Sequence, residues 1–214
     1  MNFEVINLGQ TVVKYKVPLD IYITINQIYE SKFDKLPSAN QQLVGKIKNE
    51  HSLFYDGKDQ TNMSPHTELP LNILKWFEEC YRHYLDWNKV KEYQIHLNSI
   101  WVNEMKEHEY NPVHVHQGNL YTGLSSVMIL KLPKSFGVEY SSEHSPQNGR
   151  LQILGSAAGQ FAHVDYQPEV ANGDFFVFPY DLRHLVYPFN GPGYRRTLAA
   201  NCDVEYNPIA NRGA

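Results

Sequence analysis

Apolar positions recur with two different periods along this chain, and the change between them falls near residue 90. Before it the spacing is mostly helical. Ile21, Ile25 and Ile28 return every three or four residues after Pro18, a residue suited to a first helical turn. Glu68 to Asp86 is the strongest helix. Its apolar stripe is Leu74, Phe77, Tyr81 and Tyr84, with Pro70 in the first turn, and the stripe reads as core packing. Ser38 is placed to cap a helix over Ala39 to Lys48. Phe3 to Val17 reads as one or two strands.

From Tyr93 onward short runs alternate between apolar and polar residues, the period of a strand. Strands are expected over Tyr93–Asn103, Val113–Gln117, Leu124–Leu132, Gly137–Ser141, Leu151–Leu154, Gln160–Tyr166, Asp174–Phe178, Arg183–Tyr187 and Arg195–Val204. Turn residues separate them: Pro133, Pro146-Gln147-Asn148-Gly149, Asn172-Gly173 and Gly191-Pro192-Gly193. This pattern predicts a mainly β fold, a sandwich or a double-stranded β-helix of the jelly-roll, cupin-like kind, with the N-terminal helices over one outer face. One domain over residues 1–214 is expected, with a helix-rich support at 1–92 and the β core at 93–206.

Composition narrows the function classes. The formal net charge of −4 is dispersed over 19 basic and 23 acidic residues, which argues against a nucleic-acid partner and a polybasic membrane patch. Cys80 and Cys202 are the two cysteines, and they read as buried thiols of a reducing compartment. The N-terminus lacks the basic and apolar regions of a signal peptide, and no run is long enough to cross a bilayer, so a cytoplasmic location is expected. No phosphate-binding glycine loop, Gly-x-Ser-x-Gly elbow or Cys-x-x-Cys pair occurs.

The candidate chemistry lies in Asn111-Pro112-Val113-His114-Val115-His116 and, seventy positions on, His184. Two histidines at i and i+2 of a strand share a face and can hold one metal ion. A third imidazole from a distant strand would close a facial set and leave positions open for chemistry. Arg195 follows His184 by eleven residues. Alternation sets Arg195, Thr197, Ala199 and Asn201 on one face and Arg196 on the other. Ala199 is small and leaves room for a ligand, and a buried arginine without an acidic neighbour suits a bound dicarboxylate.

The order of these pieces resembles the iron(II)/2-oxoglutarate-dependent oxygenases, and within them a branch common in bacteriophage and marine bacterial genomes, distantly related to prolyl hydroxylases. The match rests on Trp101-Val102-Asn103, the His114 and His116 stretch, Thr122-Gly123, Gly173-Asp174, Phe178-Pro179, His184, Val186, Pro188, Arg195 and Asn201. It spans roughly residues 95–205. The resemblance implies Fe(II) held by His114, His116 and His184, 2-oxoglutarate chelating the iron, and O2 in the last open position. Arg195 would pair with the distal carboxylate and Thr197 would donate a second hydrogen bond. Asn103, Tyr121 and Asn201 are implied as pocket residues. The implied reaction is hydroxylation of an unactivated C–H bond of a peptide or small-molecule substrate, with a prolyl or other peptidyl residue leading. A phage-encoded protein would work in the host cytoplasm, and a homodimer stays open.

The first motif departs from the common His-x-Asp or His-x-Glu of that superfamily. All three histidines would bind, or His116 would stand behind an entering Glu139 or Glu104, or the ion would be zinc. The first is favoured. His163-Val164-Asp165 spells the common motif outright, yet lies only twenty-one residues before His184, too close for the strands that separate the two halves, and is read as coincidental. The competing functions are a cupin-like three-histidine metalloenzyme that does not use 2-oxoglutarate, and a non-enzymatic β-sandwich binding module.

Overall fold

The computed structural model describes all residues except Leu8, 41–43, 56–65, 157–164 and 212–214. Its first half contributes β1 (Phe3–Asn7), β2 (Thr11–Lys16), α1 (Leu19–Lys32), β3 (Asn49–Tyr55), β4 (His66–Thr67) and α2 (Leu71–Trp87). The second half is built of β5 (Tyr93–Met105), β6 (Asn111–His114), β7 (Gly123–Lys131), β8 (Leu151–Leu154), β9 (Asp165–Tyr166), β10 (Asp174–Pro179), β11 (Arg183–Val186) and β12 (Arg195–Tyr206). The strands form two antiparallel sheets. The larger runs β1-β2-β10-β7-β12-β5-β3-β4 and the smaller runs β6-β11-β8-β9. The fold is mainly β, as the alternating pattern requires.

Two apolar clusters explain this layering. One lies between the sheets, where Val127 and Ile129 of β7 and Phe176 and Phe178 of β10 meet Leu151 and Ile153 of β8 and Val186 of β11. The other lies on the opposite face of the larger sheet, where Met128, Phe175 and Leu198 meet the two helices. Strands β7 and β12 are therefore covered on both faces and read as nearly continuous buried runs. In α1 the buried stripe is Ile21, Ile25 and Tyr29, with Ile28 only partly covered. In α2 it is broader than the expected four residues. Ile73, Trp76, Phe77, Cys80, Tyr81, Tyr84 and Leu85 are buried, and Leu74 is partly so. Pro18 and Pro70 occupy the caps just before the two helices rather than their first turns. The Tyr81 hydroxyl bonds to Ser126 Oγ at 2.8 Å and donates to the Ala200 carbonyl at 3.2 Å, tying α2 to the middle of the sheet. Among the described residues, no helix is long and apolar enough to cross a membrane.

Three local expectations change. The helix over Ala39 to Lys48 does not form among the described residues. The Ser38 hydroxyl turns to Asn40, whose amide donates to the Ile47 and Lys48 carbonyls, and the backbone bridges to His51 and Tyr110 instead. Side-chain bonds of this kind compete with a helix. Gly137–Ser141 is a loop, because the side-chain amides of Asn148 and Asn190 occupy the Val138 carbonyl that a neighbouring strand would need. Of the strand expected over Gln160–Tyr166, Asp165–Tyr166 is formed as β9 and the part at 160–164 lies outside the described residues. Strand β3, which the pattern did not announce, pairs with β5 and extends the larger sheet.

One buried ion pair fastens α1 to this sheet. Arg196 donates from Nε and Nη2 to one Glu104 oxygen at 3.0 and 2.9 Å, and from Nη1 to Glu30 at 2.9 Å. Its guanidinium lies 4.6 Å from the Tyr29 ring centroid. The Glu104 and Arg196 side chains are 9% and 4% exposed, so removing one partner strands the other. We expect Glu104→Gln to lower the unfolding free energy in urea by about 2–3 kcal/mol. Glu78→Gln, at the exposed Glu78–Arg82 pair, should change it by less than about 0.5 kcal/mol. Equal effects would contradict the assigned role of the buried pair.

Candidate metal and co-substrate site

His114 ends β6 and His184 lies on β11, and the two residues are direct partners in the β6–β11 register. Cross-strand partners stand close enough for their side chains to touch. His116 lies just beyond β6, where its backbone N–H donates to the Tyr180 carbonyl at 2.9 Å and prolongs the extended course. The candidate ligand nitrogens of His114, His116 and His184 all lie within 4.8 Å of one another. The His116 and His184 rings are parallel to within 9°, with Nε2 atoms 3.1 Å apart.

The backbone selects which nitrogen of two rings is presented. His114 Nδ1 lies 2.7 Å from the Pro112 carbonyl and His184 Nδ1 lies 3.0 Å from the Leu182 carbonyl. A carbonyl only accepts, so Nδ1 carries the proton and Nε2 keeps a lone pair. Burial holds the His184 ring far below the ordinary imidazole range, down to about 3, with His114 adding to the effect. Burial, then His184 and His114, pushes His116 well down, and burial lowers His114. Neutral imidazoles are the form that binds a metal. With metal–nitrogen bonds of about 2.1 Å, ligands at right angles stand ~3 Å apart, so the Nε2 pair fits one ion. No carboxylate joins the cluster among the described residues. Glu104 is committed to Arg196 on the far face, and Glu139 accepts from the backbone N–H groups of Ser141 and Asn148. Asp165 accepts from Gln152 Nε2 at 2.8 Å, and His163 lies outside the described residues.

The histidines open onto a cavity of about 730 Å³ whose other wall is the larger sheet. Arg195, Thr197, Ala199 and Asn201 line it from β12, and Trp101 and Asn103 line it from β5. Arg195 is 2% exposed, and its Nε and Nη2 have no hydrogen-bond partner. Burial lowers its pKa to about 10, which still leaves it charged at neutral pH. Asn103 Oδ1, Asn201 Oδ1 and Trp101 Nε1 are also buried without partners. A buried unpaired cation is costly, and an anion in the cavity would remove that cost. Tyr121 corrects its expected place. It is 94% exposed and lies outside the cavity wall, because the chain turns between Gln117 and Thr122 and strand alternation no longer decides where a side chain points. The sequence reading also missed Glu50 of β3, which is 1% exposed and lines the same cavity. Its only sequence signal is polar alternation with Ser52, in a segment without an apolar strand pattern.

Residues 99–201 match the family model described as "Putative 2OG-Fe(II) oxygenase". This chain belongs to the 2OG-Fe(II) oxygenases. It is thus an oxidoreductase of the kind that uses iron(II), 2-oxoglutarate and oxygen, and the neutral histidine cluster and the unpaired arginine both fit that set. Solved structures agree in fold. A 2OG-Fe(II) oxygenase-family oxidoreductase from Burkholderia pseudomallei is similar with TM-score 0.55 and 14% identity, over 89% of this chain and 84% of that one. A Pseudomonas putida prolyl-4-hydroxylase is similar with TM-score 0.56 and 13% identity, over 92% and 95% of the two chains. A Trichoplax adhaerens prolyl hydroxylase, solved with a hypoxia-inducible-factor peptide, gives TM-score 0.54 and 11% identity over 95% and 87%. No curated protein sequence matches this oxygenase.

The lowered His184 pKa sets a pH dependence. The folded value, about 3, lies below the unfolded value of about 6.5, so the unfolded chain binds the proton first and stability falls as pH drops between them. In metal-free protein, urea unfolding at pH 7 and pH 5 should show a loss roughly 2 kcal/mol smaller in His184→Asn than in wild type. An identical loss would mean that His184 takes up its proton as readily in the folded chain as in the unfolded one.

Proposed function

We propose that this oxygenase hydroxylates an unactivated C–H bond of a peptidyl residue, with prolyl leading, and that its two facing sheets form the double-stranded β-helix of that family. In this reading His114, His116 and His184 hold the iron through Nε2, with His116 in the place of the usual carboxylate. Arg195 binds the distal carboxylate of 2-oxoglutarate, and Thr197 lies next to it on the same face. The observation that carries the reading is the buried Arg195 guanidinium, without an ion-pair partner among the described residues, in the same cavity as three neutral imidazoles.

When bound, the metal and co-substrate supply the oxidant, with 2-oxoglutarate leaving as succinate and carbon dioxide. The chain's own residues position and exclude. The Pro112 and Leu182 carbonyls fix two imidazoles, while Phe178 packs edge-on to His184 at 4.8 Å and limits water at its back. Ala199 leaves space between Thr197 and Asn201 on the cavity face. A peptide substrate is supported by the setting of β6. It is the edge strand of the smaller sheet, and Val113 and Val115, which alternate with the histidines, are about half exposed beside the cavity.

Arg195→Met separates binding from folding. The KM for 2-oxoglutarate, read by succinate release, should rise about 100-fold with the loss of a charge-assisted pair. The metal-free variant should unfold at an equal or higher urea concentration, because an unpaired buried charge is gone. An unchanged KM would sink the assignment of Arg195.

A further inference from the structure

Glu50 and Arg195 are the two carboxylate or guanidinium side chains that line the cavity among the described residues. They stand on opposite flanks of β5. In register, Glu50 faces Asn103, and Asn103 faces Thr197, so a carboxylate, an amide and a hydroxyl form one row across β3, β5 and β12. Both chain neighbours of Glu50 point the other way. His51 packs 4.6 Å from the Phe33 ring on the helix side, and Asn49 pairs with Glu104, the residue that holds Arg196 there.

The Glu50 side chain is buried, and among the described residues no side-chain hydrogen bond explains it. Glu50 Oε1 is shut off from solvent and accepts no hydrogen bond, and no salt bridge reaches the carboxylate among the described residues. The ionised group acting on it is Glu109, of the same sign, which is itself held by the backbone N–H groups of Lys48 and Lys106. Burial first, and then Glu109, pushes the Glu50 carboxyl up to about 7. Asn103 Oδ1, its register neighbour on β5, and Asn111 Oδ1, on β6 of the other sheet, are unpartnered acceptors lining the same cavity. The unpartnered donors lining the cavity, Arg195 Nε and Nη2 and Trp101 Nε1, belong to β12 and β5, whereas β3 brings Glu50, Ser52 and Phe54 to it and no basic side chain. An ionised carboxylate has no donor of its own in any rotamer.

We infer that Glu50 is a substrate-recognition residue and that the primary substrate carries a protonated nitrogen, an amine or a guanidine, which pairs with Glu50 inside the cavity. The inference rests on the oxygenase reading of this cavity, in which Arg195 is taken by the co-substrate and Glu50 is left for the substrate. The cation lies on the hydroxylated residue or on one beside it. An ammonium brings three donors and a guanidinium five, enough to answer Glu50 and the Asn103 oxygen facing it in register, and a cation removes the penalty of a buried lone carboxylate.

The test is calorimetric titration of the full chain with three blocked amino acids, the N-acetyl methylamides of lysine, arginine and norleucine. Norleucine keeps the lysine stem and lacks the amine. Each is titrated with and without manganese and 2-oxoglutarate, and 2-oxoglutarate is titrated separately. The wild-type protein should bind the lysine or arginine probe at least tenfold more tightly than the norleucine probe. In Glu50→Gln that preference should fall to within about threefold, while the variant melts no lower than wild type, since it loses an unpaired charge. Equal affinity of the wild type for all three probes overturns the inference, and so does a preference that survives Glu50→Gln. The wild-type comparison alone decides the matter if the variant does not fold. Failure to bind 2-oxoglutarate would overturn the oxygenase reading beneath it, whereas bound 2-oxoglutarate without a cation preference removes the role of Glu50 alone.

Discussion

A guanidinium that is 2% exposed, with two N–H-bearing nitrogens unanswered, is the constraint around which the site is organised. Taking a cation out of water without a counter-ion costs several kcal/mol, so the chain must hold Arg195 in place by other means. Strand β12 does so. It is hydrogen-bonded on one side to β5 and on the other to β7, and ten successive residues of it are buried. Strand alternation then splits two adjacent arginines. Arg196 goes to the helix side, where Glu104 and Glu30 neutralise it, and Arg195 goes to the cavity, where no described residue pairs with it. The difference between these neighbours is what marks the cavity as a place for an anion.

The proposed metal-binding half of the site is built on the smaller sheet, across the gap. There the same local device is used twice. In both His114 and His184, the carbonyl two residues earlier accepts a hydrogen bond from Nδ1–H and leaves the Nε2 lone pair free. The β6–β11 register brings these two rings to a centroid separation of 4.2 Å, and the extended chain after β6 adds His116. Burial lowers the pKa of all three rings, so a metal bound there would need to displace few protons at neutral pH. Arg195 and the three histidines thus belong to different sheets, and the sandwich packing around Val127, Phe178 and Val186 fixes the gap between them.

Much of this was legible in the chain because strand alternation is a local rule. It assigns His114 and His116 to one face, and Arg195, Thr197 and Asn201 to one face opposite Arg196. What a local rule does not carry is register. That His184 stands across from His114 depends on how β11 meets β6, and nothing in either segment states it. Glu50 was illegible for the same reason. Asn49–Tyr55 has no apolar alternation at its start, and its place on the cavity wall comes from pairing with β5. The helix expected over Ala39 to Lys48 failed where the Asn40 amide captured the Ile47 and Lys48 carbonyls. Tyr121 failed where the strand ended in a turn.

On the proposed function, three neutral histidines and one unpaired arginine serve a single iron–co-substrate complex. The decisive experiment is anaerobic addition of iron(II) and then 2-oxoglutarate to metal-free protein, followed by visible absorption. A weak charge-transfer band that requires both additions, at one iron per chain, and that is lost in His184→Ala and weakened at the same 2-oxoglutarate concentration in Arg195→Met, is the predicted result. Iron binding with no band at saturating 2-oxoglutarate would contradict it.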